Sequence, residues 1–127
     1  MKYIIDSYAW IEYLNGSISG EKVNKILKED NEFFSLNLTI SEVVSRVKRG
    51  KGNVEIAYNS IRTISKVVDI TPEVAKKAGE FHAEMREKIK DFGLVDSLIL
   101  TLAKKLNAKV ITGDEHFNGM KEVVFIK

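Results

Sequence analysis

Tyr3-Ile4-Ile5-Asp6-Ser7 is a short apolar run that begins almost at the N-terminus and stops on a carboxylate. Three aromatic or β-branched residues without polar alternation read as a strand buried on both faces, the pattern of a parallel sheet covered by helices on either side. Asp6 then stands at the carboxyl end of that strand, the edge at which an open α/β sheet binds its ligands. An Asp between a strand and a helix also suits the helix N-cap. Position alone leaves both roles open, and the decision rests on the other acids of the chain.

The rest of the sequence repeats the strand-and-helix alternation. Ser7 to Leu14 is apolar on nearly every side and ends at Asn15-Gly16; a helix over Glu21 to Asp30 carries Val23, Ile26 and Leu27 on one face. Phe33 to Leu36 reads as a second strand, Asn37 to Thr39 as a turn, and Ile40, Val43, Val44 and Val47 as the stripe of a helix stopped by Gly50 and Gly52. Val54 to Ile64 forms another helix and Val67 to Ile70 a third strand. Thr71-Pro72-Glu73 starts a helix with proline in its favoured first position; Val74, Ala78, Phe81, Met85 and Ile89 supply its buried face. After Asp91-Phe92-Gly93 comes the cleanest stripe, Val95, Leu98, Ile99, Leu102, Ala103 and Leu106. Ala108 to Thr112 and Val123 to Ile126 are the last strands, joined by a loop too brief for a full helical crossover. The pattern predicts a three-layer α/β/α sandwich with a parallel sheet of four to five strands, one domain over residues 1–127.

Composition narrows the function. Lys and Arg number 20 against 18 acids, so any nucleic-acid contact comes from a local patch rather than from bulk charge. The absence of cysteine excludes disulfides, thiolate metal sites and a cysteine nucleophile. The N-terminus lacks a signal pattern, and no apolar run of about 18 residues is present. The expectation is a cytoplasmic protein without a membrane partner.

Three further carboxylates fall at junctions equivalent to that of Asp6: Glu42 after the second strand, Asp96 at the start of the most regular helix and Asp114 after the fourth strand. Each has a structural excuse. Thr39-Ile40-Ser41-Glu42 fits a capping box, Asp96 suits a helix dipole, and Asp114 fits the cap of the turn Glu115-His116-Phe117. These excuses do not explain why all the acids sit at strand ends that open on one edge of a parallel sheet. At an effective dielectric near 20, two unit charges about 4 Å apart repel by roughly 4 kcal/mol. Such a cluster calls for a cation or a shared proton. Oxygen ligands, no Cys and only two His select Mg²⁺ or Mn²⁺ over zinc. A metal so held activates water and stabilises charge on a phosphoryl oxygen, which points to a phosphodiester substrate.

The chain resembles a PIN domain, and more narrowly the VapC-type toxins of prokaryotic toxin–antitoxin pairs. Four patterns in order carry the resemblance: Ile4-Ile5-Asp6-Ser7 with Trp10-Ile11-Glu12, Ile40-Ser41-Glu42-Val43-Val44, Leu94 to Leu100 around Asp96, and Ile111-Thr112-Gly113-Asp114-Glu115-His116-Phe117. The resemblance implies a metal-dependent endoribonuclease in which Asp6, Asp96 and Asp114 hold Mg²⁺ or Mn²⁺, Glu42 completes the acidic site, and Ser7 and Thr112 support it from behind. It also implies a homodimer and a protein antitoxin lying across the cleft. Non-toxin RNA-processing nucleases and catalytically silent binding modules share the same family. One departure follows Asp96, where Leu98-Ile99-Leu100 replaces the smaller residues of many relatives. A phosphoacceptor receiver domain, which also gathers acids at strand ends, fits poorly: the paired acids after the first strand and a Lys before the last loop are missing.

Arg46, Lys48, Arg49 and Lys51 form the densest basic run. Cations suit a helix C-terminus, and the same residues are the candidate RNA contacts. Arg86, Lys88 and Lys90 make a second basic run. His82 reads as a packed histidine, Trp10 and Tyr13 as core or partner-facing; His116 is notable only for its closeness to Asp114.

Overall fold

In the computed structural model, which describes residues 1–127, strand β1 (Lys2–Ile5) lies at the centre of a five-stranded sheet. It pairs with β2 (Glu32–Leu36) on one side and β4 (Lys109–Thr112) on the other; β3 (Lys66–Val68) and β5 (Val123–Phe125) are the edges. The order is β3-β2-β1-β4-β5 and every pairing is parallel. Chain direction therefore reverses its progress across the sheet between β1 and β4. That is the switch point at which a ligand crevice opens.

Six helices cover the two faces. α1 (Ser7–Asn15), α2 (Ile18–Leu27), α3 (Asn37–Arg49) and α4 (Val54–Ile64) pack on one; α5 (Pro72–Arg86) and α6 (Leu94–Leu106) pack on the other. Adjacent residues of the central strands point into opposite cores. Ile4 and Val110 face α5 and α6, whereas Ile5 and Ile111 face α1 to α4, and all four are fully buried. The period-two geometry of a strand makes this division obligatory, and it explains why β1 shows no polar alternation.

Local chemistry sets the helix ends. Asp6, Ser17, Asn53 and Thr71 each cap a helix through the side chain, and Gly16 closes α1 in the left-handed region at φ 64°. At Gly20 a Cβ would strike the Glu12 carbonyl of α1, so only glycine lets α1 and α2 approach this closely. Trp10 belongs to the core. Its indole N–H donates to Ser35 Oγ at 2.9 Å, Ser35 and Ser65 hydroxyls meet at 2.8 Å, and Ser65 donates to the Ile61 carbonyl at 2.7 Å. The donation runs one way and leaves none of these buried polar groups unpaired, which ties α1, β2 and the end of α4 together.

Several boundaries differ from the sequence pattern. Asn37 to Thr39 is not a turn but the first turn of α3, because β2 passes directly into the helix at Leu36 without a side-chain cap. The expected capping box at Thr39 does not form: Thr39 is inside the helix, fully buried, and its hydroxyl has no partner. α2 starts at Ile18, earlier than expected, since Ser17 caps it by accepting from the Gly20 N–H. β3 is shifted to Lys66–Val68 and omits Ile70. α5 ends at Arg86, and Ile89 reaches its core through the following turn. The connection from β4 to β5 contains only the single 3-10 turn Glu115–Phe117, yet β5 still pairs parallel to β4. That is short for a parallel crossover.

Truncating Ile5 or Ile111 to Ala removes filling from the centre of the α1–α4 core. Each variant is expected to lose roughly 2–5 kcal/mol of stability, seen as a lower urea midpoint with an unchanged slope.

Candidate active site

Asp6 ends β1 and caps α1, its Oδ1 accepting from the Ala9 N–H at 2.9 Å. It is 4% exposed. Asp114 follows β4 and caps the 3-10 turn, accepting from the His116 N–H at 2.9 Å, while its own N–H donates to Thr112 Oγ1 at 3.0 Å. Asp96 lies in the first turn of α6, its carboxyl interacting with the Gly93 N–H. Glu42 projects from α3 beside the Ser7 hydroxyl. All four acids line one cleft of about 740 Å³, together with Ser7, Tyr8, Glu12, Ser41, Arg46 and Arg49 among others.

The local fold explains this convergence. β1 and β4 are neighbours in register, Ile5 opposite Ile111, so Asp6 and the residues after Ile111 emerge side by side. Gly113 is required there, because a Cβ would run into the Tyr8 ring that walls the cleft. The N-terminus of α6 delivers Asp96 from the other face of the sheet. On α3, Ser41, Glu42, Ser45, Arg46 and Arg49 follow helical spacing and form a polar stripe along the cleft.

Charge gathers here at a cost. Burial pushes the Asp6 carboxyl up to about 7; hydrogen bonds from Thr112 and Ala9 oppose the rise, and the Asp96 and Asp114 charges add to it. Burial and then the Asp114 charge raise Asp96 to about 6, against the pull of the Gly93 N–H and His116. Partial burial lifts Glu42 also, opposed by the Ser7 hydroxyl. No lysine faces the cluster within the cleft; the positive charge along it comes from Arg46 and Arg49 on α3.

The donor set fits a divalent cation. Oxygen atoms of Asp96 and Asp114 and a ring nitrogen of His116 lie within 4.8 Å of one another. His116 Nδ1 is 3.5 Å from Asp114 Oδ1 and 3.8 Å from Asp96 Oδ2, and it is a buried polar atom without a hydrogen-bond partner. Hard carboxylate oxygens that repel one another, with an orphaned donor beside them, are the surroundings a cation relieves.

The structure thus brings together Asp6, Ser7, Glu42, Asp96 and Asp114, and lays Thr112 buried against Asp6. Of the basic run, Arg46 and Arg49 line the cleft, whereas exposed Lys48 does not. Tyr8, Glu12, Ser41 and Ser45 were not singled out by sequence reasoning. The helical spacing of polar residues on α3 was the available signal for the two serines. His82 is a packed histidine, its Nε2 3.0 Å from the Phe92 carbonyl.

The PIN domain family matches residues 3–123, and the chain belongs to that family. No curated protein matches the sequence. Among solved structures, a toxin–antitoxin complex from Klebsiella pneumoniae superposes with a TM-score of 0.74 at 19% identity, covering 98% of each chain. VapC20 of Mycobacterium tuberculosis, described as a toxin that cleaves the sarcin-ricin loop, gives 0.76 at 17% identity over 95% of this chain and 96% of that one. VapBC2 of Rickettsia felis, bound to a promoter DNA fragment, gives 0.72 at 18% identity over 98% and 97%. No helix is long and apolar enough to cross a membrane.

In metal-free protein the folded state holds a proton on Asp6 that the unfolded chain releases near its ordinary value of 3.8. The associated stability is complete below that value and is lost as pH rises through about 7. Melting curves in EDTA are therefore expected to fall between about pH 4 and 8. Asp6→Asn keeps a capping oxygen and is expected to lessen this dependence, the remainder coming from Asp96 with its carboxyl raised to about 6, and to melt on the order of 5 °C above the parent at pH 8.

Proposed function

We propose that this protein is a metal-dependent endoribonuclease that hydrolyses RNA phosphodiester bonds, the toxin of a VapBC-type pair, with residues 1–127 as the catalytic unit. The observation that carries the reading is the convergence of Asp6, Glu42, Asp96 and Asp114 from four separate elements into one cleft edged by two arginines. Family membership and the toxin–antitoxin proteins among the structural relatives support it.

Asp6, Asp96 and Asp114 are the residues that hold Mg²⁺ or Mn²⁺. When bound, the metal supplies positive charge that favours attack by water on a phosphodiester near neutral pH. Glu42 orients that water or takes its proton, held in place beside the Ser7 hydroxyl. Thr112 directs the Asp6 carboxylate from beneath. Arg46 and Arg49 grip backbone phosphates on the α3 side of the cleft, where guanidinium groups make charge-assisted contacts. RNA is the substrate, a protein antitoxin that covers the cleft is the partner, and a second copy of the chain completes a homodimer in the cytoplasm.

Incubation of purified protein with a mixed RNA pool in Mg²⁺ or Mn²⁺ tests the reading. Cleavage is expected to stop in EDTA and to fall by at least about 100-fold in Asp96→Asn, with the far-ultraviolet spectrum unchanged. Cleavage that persists in Asp6→Asn and Asp96→Asn would refute the site assignment. Binding of RNA and metal without any cutting would instead support a silent binding module.

The arginines make a separate expectation. Arg46→Ala with Arg49→Ala is expected to raise KM several-fold and to make RNA affinity less steeply dependent on salt, with a smaller change in kcat. Fluorescence anisotropy across a salt series reads the slope directly.

A further inference from the structure

His116 stands beside Asp96 and Asp114, and the proposed reaction assigns it no task. Its backbone fixes where its ring goes. The His116 N–H donates to Asp114 Oδ1, and the next residue, Phe117, is fully buried, so the 3-10 turn is pinned at both sides of the histidine. The ring then presents Nδ1 to the acids. That nitrogen is withdrawn from solvent, has no hydrogen-bond partner, and stands 3.5 and 3.8 Å from one oxygen each of Asp114 and Asp96.

These distances are too long for good direct hydrogen bonds. They suit a shared ion. Two donors at about 2.1 Å from one cation lie about 3 Å apart when they subtend a right angle and about 4.2 Å apart on opposite sides. The three donor atoms all fall within 4.8 Å of one another. His82, the other histidine, is occupied by the Phe92 carbonyl and does not belong to the group formed by Asp96, Asp114 and His116.

We infer that His116 Nδ1 is a metal ligand, forming with Asp96 and Asp114 a mixed nitrogen–oxygen site that favours Mn²⁺ over Mg²⁺. The inference rests on the metal-dependent reading proposed above and adds to it the ligand that discriminates between the two ions. Mg²⁺ is hard, prefers oxygen and gives up its water reluctantly, whereas an imidazole nitrogen suits transition ions better. With Nδ1 committed to the metal, the proton resides on Nε2. The competing role for this ring is a cationic imidazolium that neutralises the two carboxylates without touching any metal.

The test uses protein stripped with EDTA and titrated with MnCl₂ or MgCl₂ by calorimetry, followed by electron spin-echo envelope modulation of the Mn²⁺ complex. The expected result is modulation from a directly bound imidazole nitrogen in the wild type and its loss in His116→Asn. Calorimetry is expected to show Mn²⁺ affinity falling about tenfold in that variant while Mg²⁺ affinity changes less than about threefold. Mn²⁺ bound without nitrogen modulation in the wild type, or modulation that survives in His116→Asn, overturns the inference and leaves the nuclease reading standing. Failure of the wild type to bind Mn²⁺ overturns both. A wild-type spectrum without nitrogen modulation rules ligation out however the variant folds, and His82→Asn, which is expected to keep the modulation, separates the two histidines of the chain.

Discussion

Parallel pairing of β1 with both β2 and β4 is the constraint on which the remainder of this structure depends. A strand held on both edges and covered on both faces withdraws its side chains from solvent as it approaches the crevice, from exposed Lys2 to Ile4 and Ile5, which are buried in separate cores. Because β1 and β4 are adjacent though distant in sequence, their ends open a crevice in the middle of the sheet. The strand ends and the helix N-termini beyond them then have no place to put their polar residues except around that crevice. The site follows from the topology.

Bringing acids to that edge works against stability. Asp6 is buried, and its carboxyl is raised far above the ordinary range chiefly by loss of water, with neighbouring carboxylates adding to the effect. Asp96 is raised by the same causes. The fold keeps these groups in place by giving each a local structural task as well. Asp6 caps α1, Asp114 caps the 3-10 turn, and Asp96 engages the backbone at the start of α6. Capping and cleft-lining are thus compatible roles for one carboxylate, since a cap uses one oxygen and leaves lone pairs free on the other.

The two faces of the sheet contribute unequally to the site. α1 and α3, on one face, supply the wall of the cleft, its arginines and Glu42, whereas α6, on the other, supplies Asp96. The serine network beneath Trp10 joins α1 to β2 and to the end of α4, so the wall that carries Tyr8 and Glu12 is fixed to the sheet through buried hydrogen bonds. Ser97 performs the corresponding task on the opposite face, donating to the Ala78 carbonyl and locking α6 against α5 one residue after Asp96. Both sides of the acid cluster are held by fully satisfied polar contacts rather than by apolar packing alone.

The sequence by itself determined the parallel α/β architecture, the helix faces and the four acids at strand and helix junctions, because these are carried by hydrophobic periodicity and capping chemistry, which act over a few neighbouring residues. It left the strand order, the parallel pairing of β5 and the start of α3 at Asn37 to tertiary structure, since sheet neighbours are chosen by packing between distant segments. The Thr39 capping box looked sound locally and does not form because β2 runs straight into α3 at Leu36, which places Thr39 inside the helix rather than at its cap. His116 shows the same division most clearly. Its spacing from Asp114 was visible along the chain, but its meeting with Asp96 was not, because α6 and the loop after β4 meet only once the sheet has assembled.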